Sequence, residues 1–295
     1  HVLLGQSLKV VFRMNNDRAI PEMTYANNWA QHQITVHHTP KLDVKIYSVN
    51  YYVRGVKYSI RAKDLLALVS WLRRAYPVPG VNWRFGALTW PYGWPPGSVG
   101  KDCLRVDGLL TVQRILDASP PWRRYYGMVS DGGSWMRGCT PGIPAVVSSG
   151  PTGPGTWSWD YDGSYGDWYG AHELGHAYGR KHTLCKGSEG GPDVNYPYPG
   201  GWIGRQLDPN TAYGWDVELR RVYPPFWKDV MSYCDWQWIS DYTYKGILGR
   251  LVAESLLSEG PQRARIDGEA LAVLGIANLT QGTAELATLY RLHGV

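Results

Sequence analysis

The sequence predicts a mixed α/β (α+β) fold built on a twisted sheet, and three observations predict it. Between residues 42 and 148, short apolar runs alternate with two longer stretches whose apolar residues recur at helical spacing. The resulting order, strand–helix–strand–helix–strand, is that of a sheet with helices packed on it. Hydrophobic residues make up 44% and charged residues 19%, so there is enough apolar mass for a core and disorder is excluded. Thirty-five glycines and 20 prolines among 295 residues, with no collagen period, mean many turns and long ordered loops.

Residues 7–14 (SLKVVFRM) and 33–39 (QITVHHT) read as strands, joined by the turn-rich link IPEMTYANNWA. Glu22, Asn27 and Asn28 with the strand that follows resemble the closing strands of immunoglobulin-like adhesion modules of bacterial surface proteins. That resemblance implies that residues 1–40 are the tail of an upstream β-sandwich. No basic–apolar–small leader opens the chain and its first residue is His1, so a processed or excised piece is expected.

Thr39-Pro40 breaks the pattern, and the main domain is expected over 41–256. LDVKIYSV (42–49) is a strand. Leu65, Leu66, Val69 and Leu72 place a helix over 63–76, ended by Pro77. VNWRFGALTW (81–90) is a strand, and 103–117 is a helix carrying Leu104, Leu109, Leu110, Val112 and Ile115. Residues 125–129 and 145–148 are short strands. The pairing of these strands cannot be read from sequence.

Residues 149–168 are rich in Gly, Ser, Trp, Tyr and Asp. Asp160, Asp162 and Asp167 raise calcium as a second ion, but their spacing is not that of an EF-hand loop. Turn-forming aspartates beside glycine are the preferred reading. Further on, Tyr244, Ile247, Leu248, Leu251, Val252 and Leu256 follow helical spacing, and 269–277 with 283–292 read as a hairpin opening a C-terminal β segment, 257–295. Asn278-Leu279-Thr280 is a glycosylation sequon.

The net charge is +5, and Arg73-Arg74, Arg123-Arg124 and Arg220-Arg221 are only pairs. No basic run suits nucleic acid or an anionic membrane, and no apolar run approaches a membrane span. Fifteen Trp and 21 Tyr stand against three Phe. Such amphipathic rings suit half-exposed surfaces and loop packing better than a dry core. Four cysteines, Cys103, Cys139, Cys185 and Cys234, form no CxxC pair. An even count in a loop-rich chain predicts two disulfides and an oxidising compartment, with three connectivities open.

The segment with the most chemistry is AHELGHAYGRKH (171–182). His172 and His176 are one helical turn apart on one face, so both imidazoles can reach one ion. Glu173 is beside the first of them, positioned toward water on the metal and not toward the metal itself. Gly179 can take the left-handed conformation that ends the helix. The chain can then turn and bring in His182. Three neutral nitrogen ligands with a fourth position open describe a catalytic zinc site.

The pattern HExxHxxGxxH resembles the signature of the metzincin zinc endopeptidases. The family also has a methionine turn beneath the metal, and Asp229-Val230-Met231-Ser232-Tyr233-Cys234 resembles it, with Met231 in the methionine place. The resemblance implies that Tyr233, two residues on, approaches the metal and stabilises the reaction intermediate, as in the astacin and serralysin branches. Astacins have Glu after the third histidine and matrix metalloproteinases commonly Ser; here it is Thr183, so no branch is assigned. The stretches 185–204 and 230–244 resemble the catalytic unit of large secreted multidomain bacterial metalloproteases. A Cys185–Cys234 bond would clamp the two motifs that meet at the metal, which leaves Cys103–Cys139.

The implied protein is a monomeric extracellular endopeptidase acting on protein or glycoprotein substrates. Zinc is held by His172, His176 and His182, Glu173 is the base, and residues 235–242 form part of the wall of the pocket after the scissile bond. The alternative is a non-catalytic adhesion module with a structural zinc. Against it, structural zinc sites are normally closed by four protein ligands, and Glu173 is intact.

Overall fold

The computed structural model describes residues 7–35, 39–155, 157, 159–185, 190–208, 211–257, 270–278 and 283–292. The chain divides into two compact units, His1–Thr39 and Pro40–Val295. In the first, β1 (Ser7–Arg13) and β2 (Trp29–Thr35) pair antiparallel, Ser7 opposite Thr35 and Arg13 opposite Trp29. The second strand thus starts four residues earlier than the alternation of 33–39 suggests. The register set by β1 draws Trp29 and Ala30 into the ladder; residues 36–38 lie outside the described part. In the connecting turn, the Glu22 carboxylate accepts from the side-chain amides of Asn15 and Asn28.

In the second unit, β3 (Leu42–Val53) is the central strand of a five-stranded sheet. Its end turns back antiparallel as β4 (Val56–Tyr58). Helix α1 (Ala62–Ala75) follows, with the Asp64 carboxylate accepting from the Arg61 backbone N–H at its start. β5 (Val81–Thr89) lies parallel to β3 on one side. After α2 (Asp102–Leu116), β6 (Arg124–Ser130) lies parallel to β3 on the other, and β7 (Val147–Thr152) is parallel to β6. The sheet is therefore parallel except for β4.

Side chains alternate across it as the pleat requires. Leu42, Val44 and Ile46 of β3 and Tyr126 and Met128 of β6 face one core, shared with α1 and with α3 (Gly166–Ala177). Tyr47, Val49, Tyr51, Tyr125 and Val129 face the other, shared with Val106 and Leu110 of α2. Helices thus cover both faces.

Beyond α3 the chain is mostly loop. A 3₁₀ turn (Pro199–Gly201), the antiparallel pair β8 (Gly214–Asp216) and β9 (Arg221–Tyr223), and the parallel pair β10 (Lys228–Asp229) and β11 (Gln237–Trp238) lead to α4 (Asp241–Leu257). α4 is tied back to the sheet by the buried Arg124 guanidinium. That group donates to Glu254 at 2.6 Å and to the Ala177 carbonyl at the end of α3 at 3.3 Å. Finally β12 (Ala270–Asn278) and β13 (Thr283–Leu292) pair antiparallel, with a register shift between Leu274 and Gly275. Leu279 and Thr280 of the sequon lie outside the described residues. No helix among the described residues is long and apolar enough to cross a membrane.

The aromatic residues depart from the sequence expectation. Trp71, Trp168 and Trp238 are buried in mutual contact, ring centroids 5.3–6.3 Å apart. They join α1, the start of α3 and the loop-rich lower part. Large rings fill the space between a sheet-backed helix pair and irregular chain, where small aliphatic side chains would leave voids.

Candidate metal centre

α3 presents His172 and His176 on one face, and its ending presents His182. Gly179 has φ +87°, and two hydrogen bonds close the helix around it: Gly179 N–H to the His176 carbonyl at 2.8 Å, Arg180 N–H to the Gly175 carbonyl at 2.9 Å. This is the Schellman pattern with glycine at the left-handed position. It reverses the chain so that His182 returns to the face it has just left.

The three Nε2 atoms converge. They are 3.1 Å apart for His172 and His176, 3.0 Å for His176 and His182, and 3.2 Å for His172 and His182. On the two helix histidines the far nitrogen faces a carbonyl: His172 Nδ1 is 2.7 Å from the Val230 oxygen and His176 Nδ1 is 2.6 Å from the Arg180 oxygen. A carbonyl only accepts, so each Nδ1 carries the proton and each Nε2 turns a lone pair inward. Lone pairs at this separation repel unless a cation sits between them. Burial pushes His172 well below the ordinary histidine pKa and His176 down to about 4, with neighbouring imidazoles adding to the effect, so both are neutral. The group can hold a metal ion.

Glu173 faces the same cleft and is 5% exposed. Its Oε2 accepts from the Thr140 hydroxyl at 2.8 Å. Burial pushes its carboxyl up to about 8 against that hydrogen bond and the nearby Arg137 charge. Gly138 permits this approach: a Cβ there would be 2.4 Å from the Tyr169 ring and 2.7 Å from Glu173 Oε1.

Met231 is fully buried beneath α3. A Cβ on Gly175 would stand 2.4 Å from its sulfur, so the glycine inside HELGH makes room for the methionine. Asp229 shapes this turn, its carboxylate accepting from the N–H of Met231 at 2.8 Å and of Ser240 at 2.9 Å. Thr183 N–H donates to the Met231 carbonyl at 3.0 Å, joining the third histidine's segment to the methionine segment. The Tyr233 ring stands over the ligands, 4.7 Å from the His182 ring and 5.6 Å from the His172 ring, and its oxygen accepts from Arg137 at 3.3 Å.

Both disulfides form, Cys185–Cys234 and Cys103–Cys139. The first closes the chain segment after His182 onto that after Tyr233. The second ties the start of α2 to the segment carrying Arg137, Gly138 and Thr140, which also bridges antiparallel to β7 through Cys139 and Ser149.

The cleft lined by His172, Glu173 and Tyr233 has a volume of ≈ 420 Å³. Trp135, Trp157 and Trp159 line one part of it, and Asp235 and Gln237 another. Nothing local in the sequence marks Thr140, Arg137 or Gly138 as part of this site, and Asp229 is marked only by being the first residue of the methionine segment. No protein-family model matches the chain, and no curated protein matches it.

Proposed function

We propose that this chain is an extracellular zinc endopeptidase of the metzincin type, with His172, His176 and His182 as ligands and Glu173 as general base. One observation carries the reading: three Nε2 atoms converge, and one of their histidines, His172, lines a cleft together with the buried carboxylate of Glu173. Tetrahedral zinc with Zn–N bonds of ~2.0–2.1 Å separates its nitrogens by about 3.3 Å. The observed separations of 3.0–3.2 Å fall just inside that edge. Neutral imidazoles suit zinc, and carbonyls behind two of them set the tautomer in the way common to metal-bound histidines. The HExxHxxGxxH pattern and Met231 under the helix support the family, and two disulfides support an oxidising compartment.

Bound zinc supplies a Lewis acid that polarises a carbonyl and lowers the pKa of water from ~15.7 to ~7. Glu173 takes the proton of the attacking water and delivers it to the leaving amine, so that one peptide bond and one water become a carboxylate and an ammonium group. Thr140 holds Oε2 and leaves Oε1 for that transfer. Arg137 donates to the Tyr233 oxygen, and the Tyr233 phenol donates to the oxyanion that develops on the scissile carbonyl. The wall at 235–242 receives the side chain that follows the cut.

The test is Glu173→Ala. It should keep one equivalent of zinc by elemental analysis while peptide-library cleavage falls by about 10²–10⁴-fold. Turnover near wild type, or wild-type cleavage that survives chelation, would overturn the reading.

A further inference from the structure

The loop that leads into α3 gathers three carboxylates that the histidine centre does not use. Asp160, Asp162 and Asp167 each offer an oxygen, all within 4.8 Å of one another. Asp160 is 9% and Asp167 1% exposed, whereas Asp162 is exposed. Turn formation explains part of this. Asp160 Oδ1 accepts from the Asp162 N–H at 3.3 Å, and Asp162 Oδ1 from the Ser164 N–H at 2.8 Å. It leaves Asp160 Oδ2 and Asp167 Oδ1 unexplained, since both are buried without a hydrogen-bond partner among the described residues.

Nor does any of the three form an ion pair with a protein cation among the described residues, although the Arg74 charge acts on Asp160 and Asp167 and the Arg61 charge on Asp162. Arg74 is engaged by Asp216 and Ser70, and Arg61 by Asp64 and the Gly163 carbonyl. Buried carboxylate oxygens with no hydrogen bond and no ion-pair partner are costly. Burial and mutual repulsion push Asp160 up to about 6 and Asp167 well above the usual carboxylate range. A positive charge seated among the three carboxylates is what the cluster lacks among the described residues.

We propose that Asp160, Asp162 and Asp167 bind one hard divalent cation of the calcium class, pinning the loop to the first turn of α3. An all-oxygen, carboxylate-rich donor set selects such a cation over those that prefer imidazole. Calcium accepts the irregular geometry that a loop supplies and fills its sphere with carbonyls and water, while magnesium demands a near-ideal octahedron. Asp167 lies five residues before His172 on the same helix, so the cation would brace the helix that carries the histidines. The proposal does not rest on the protease reading.

The test is calcium titration of the full chain in calcium-free buffer, by calorimetry and thermal melting. Extracellular calcium modules bind at ~0.1–1 mM. The wild type should take about one calcium per chain, and ~10 mM calcium chloride should raise its melting temperature by about 5 °C. Asp162→Asn keeps the turn acceptor for Ser164 but removes the charge. It should weaken calcium binding by at least about tenfold, yet melt no lower than wild type without calcium, because repulsion in the cluster is relieved. His182→Ala should retain the full calcium response, which separates this site from the histidine centre. No rise in the wild type, or the same rise in Asp162→Asn, would overturn the proposal, and an equal response to magnesium chloride would overturn the calcium assignment.

Discussion

Gly175 and Met231 show how much of this site is decided at single atoms. The glycine is inside a helix, where its propensity is poor by about 1 kcal/mol against alanine. It stands there because a Cβ would be 2.4 Å from the methionine sulfur. Gly175→Ala should therefore destabilise the protein by roughly 1–3 kcal/mol as over-packing, reversing the propensity gain. In a Met231→Ala background the same change should have little effect or stabilise. Urea unfolding of the four proteins measures the coupling; an equal response in both backgrounds would show that the contact is slack. Sequence could name both residues but not their contact, since 56 positions separate them. Thr140 is a clearer case: it holds the Glu173 carboxylate from 33 residues away, and no spacing rule connects them.

At the scale of elements, α3 is the most legible part of the chain. Its two ligand histidines follow from the helical repeat and its end from one glycine. Gly179→Ala should lose roughly 1–2 kcal/mol, the cost of a side chain in the left-handed region. It should also weaken metal binding, because His182 would no longer return to the helix face. Gly179→Asn tolerates that conformation better and should keep most of the metal affinity. Competition with a chromogenic chelator would decide it, and equal affinity of the two variants would show that the turn does not position His182. β7 was less legible. A strand is expected at 145–148 and lies at Val147–Thr152. The segment VSSGPT is buried along its whole length and has no alternation to read. Its extension is set by β6 on one side and the helices above, through parallel pairing that carries no local signal.

At the scale of the whole molecule, several of the buried carboxyls among the described residues lie in no ion pair. Burial raises Asp107, Asp160, Asp167, Glu173 and Asp229. A carboxyl whose pKa is higher in the folded than in the unfolded chain keeps its proton longer when folded, so its contribution falls as pH rises through the folded pKa. His172 and His176 have depressed values and lose stability only as pH falls below their unfolded value of about 6.5. Between pH 6.5 and 8 the raised carboxyls set the larger part of the slope. The metal-stripped protein should therefore melt at a lower temperature at pH 8 than at pH 6.5. Saturating zinc and calcium should flatten or reverse that slope, since cations favour the ionised forms. Scanning calorimetry at the two pH values, with and without metals, measures it; a stripped protein that gains stability over this interval would contradict the carboxyl assignment.

The sequence by itself determined what depends on near neighbours: the helix face of His172 and His176, the turn at Gly179, and the strand–helix alternation between 42 and 148. These follow from periodicities of two and 3.6 residues and from glycine's freedom at positive φ, all properties of a few consecutive residues. Only the tertiary structure decided the strand order, the aromatic core between α1, α3 and Trp238, the hold of Thr140 on Glu173, and the crowding of Asp160, Asp162 and Asp167 around buried, unpartnered oxygens. Each of these depends on which distant segments or side chains are buried together, and burial is a property of the packed chain as a whole.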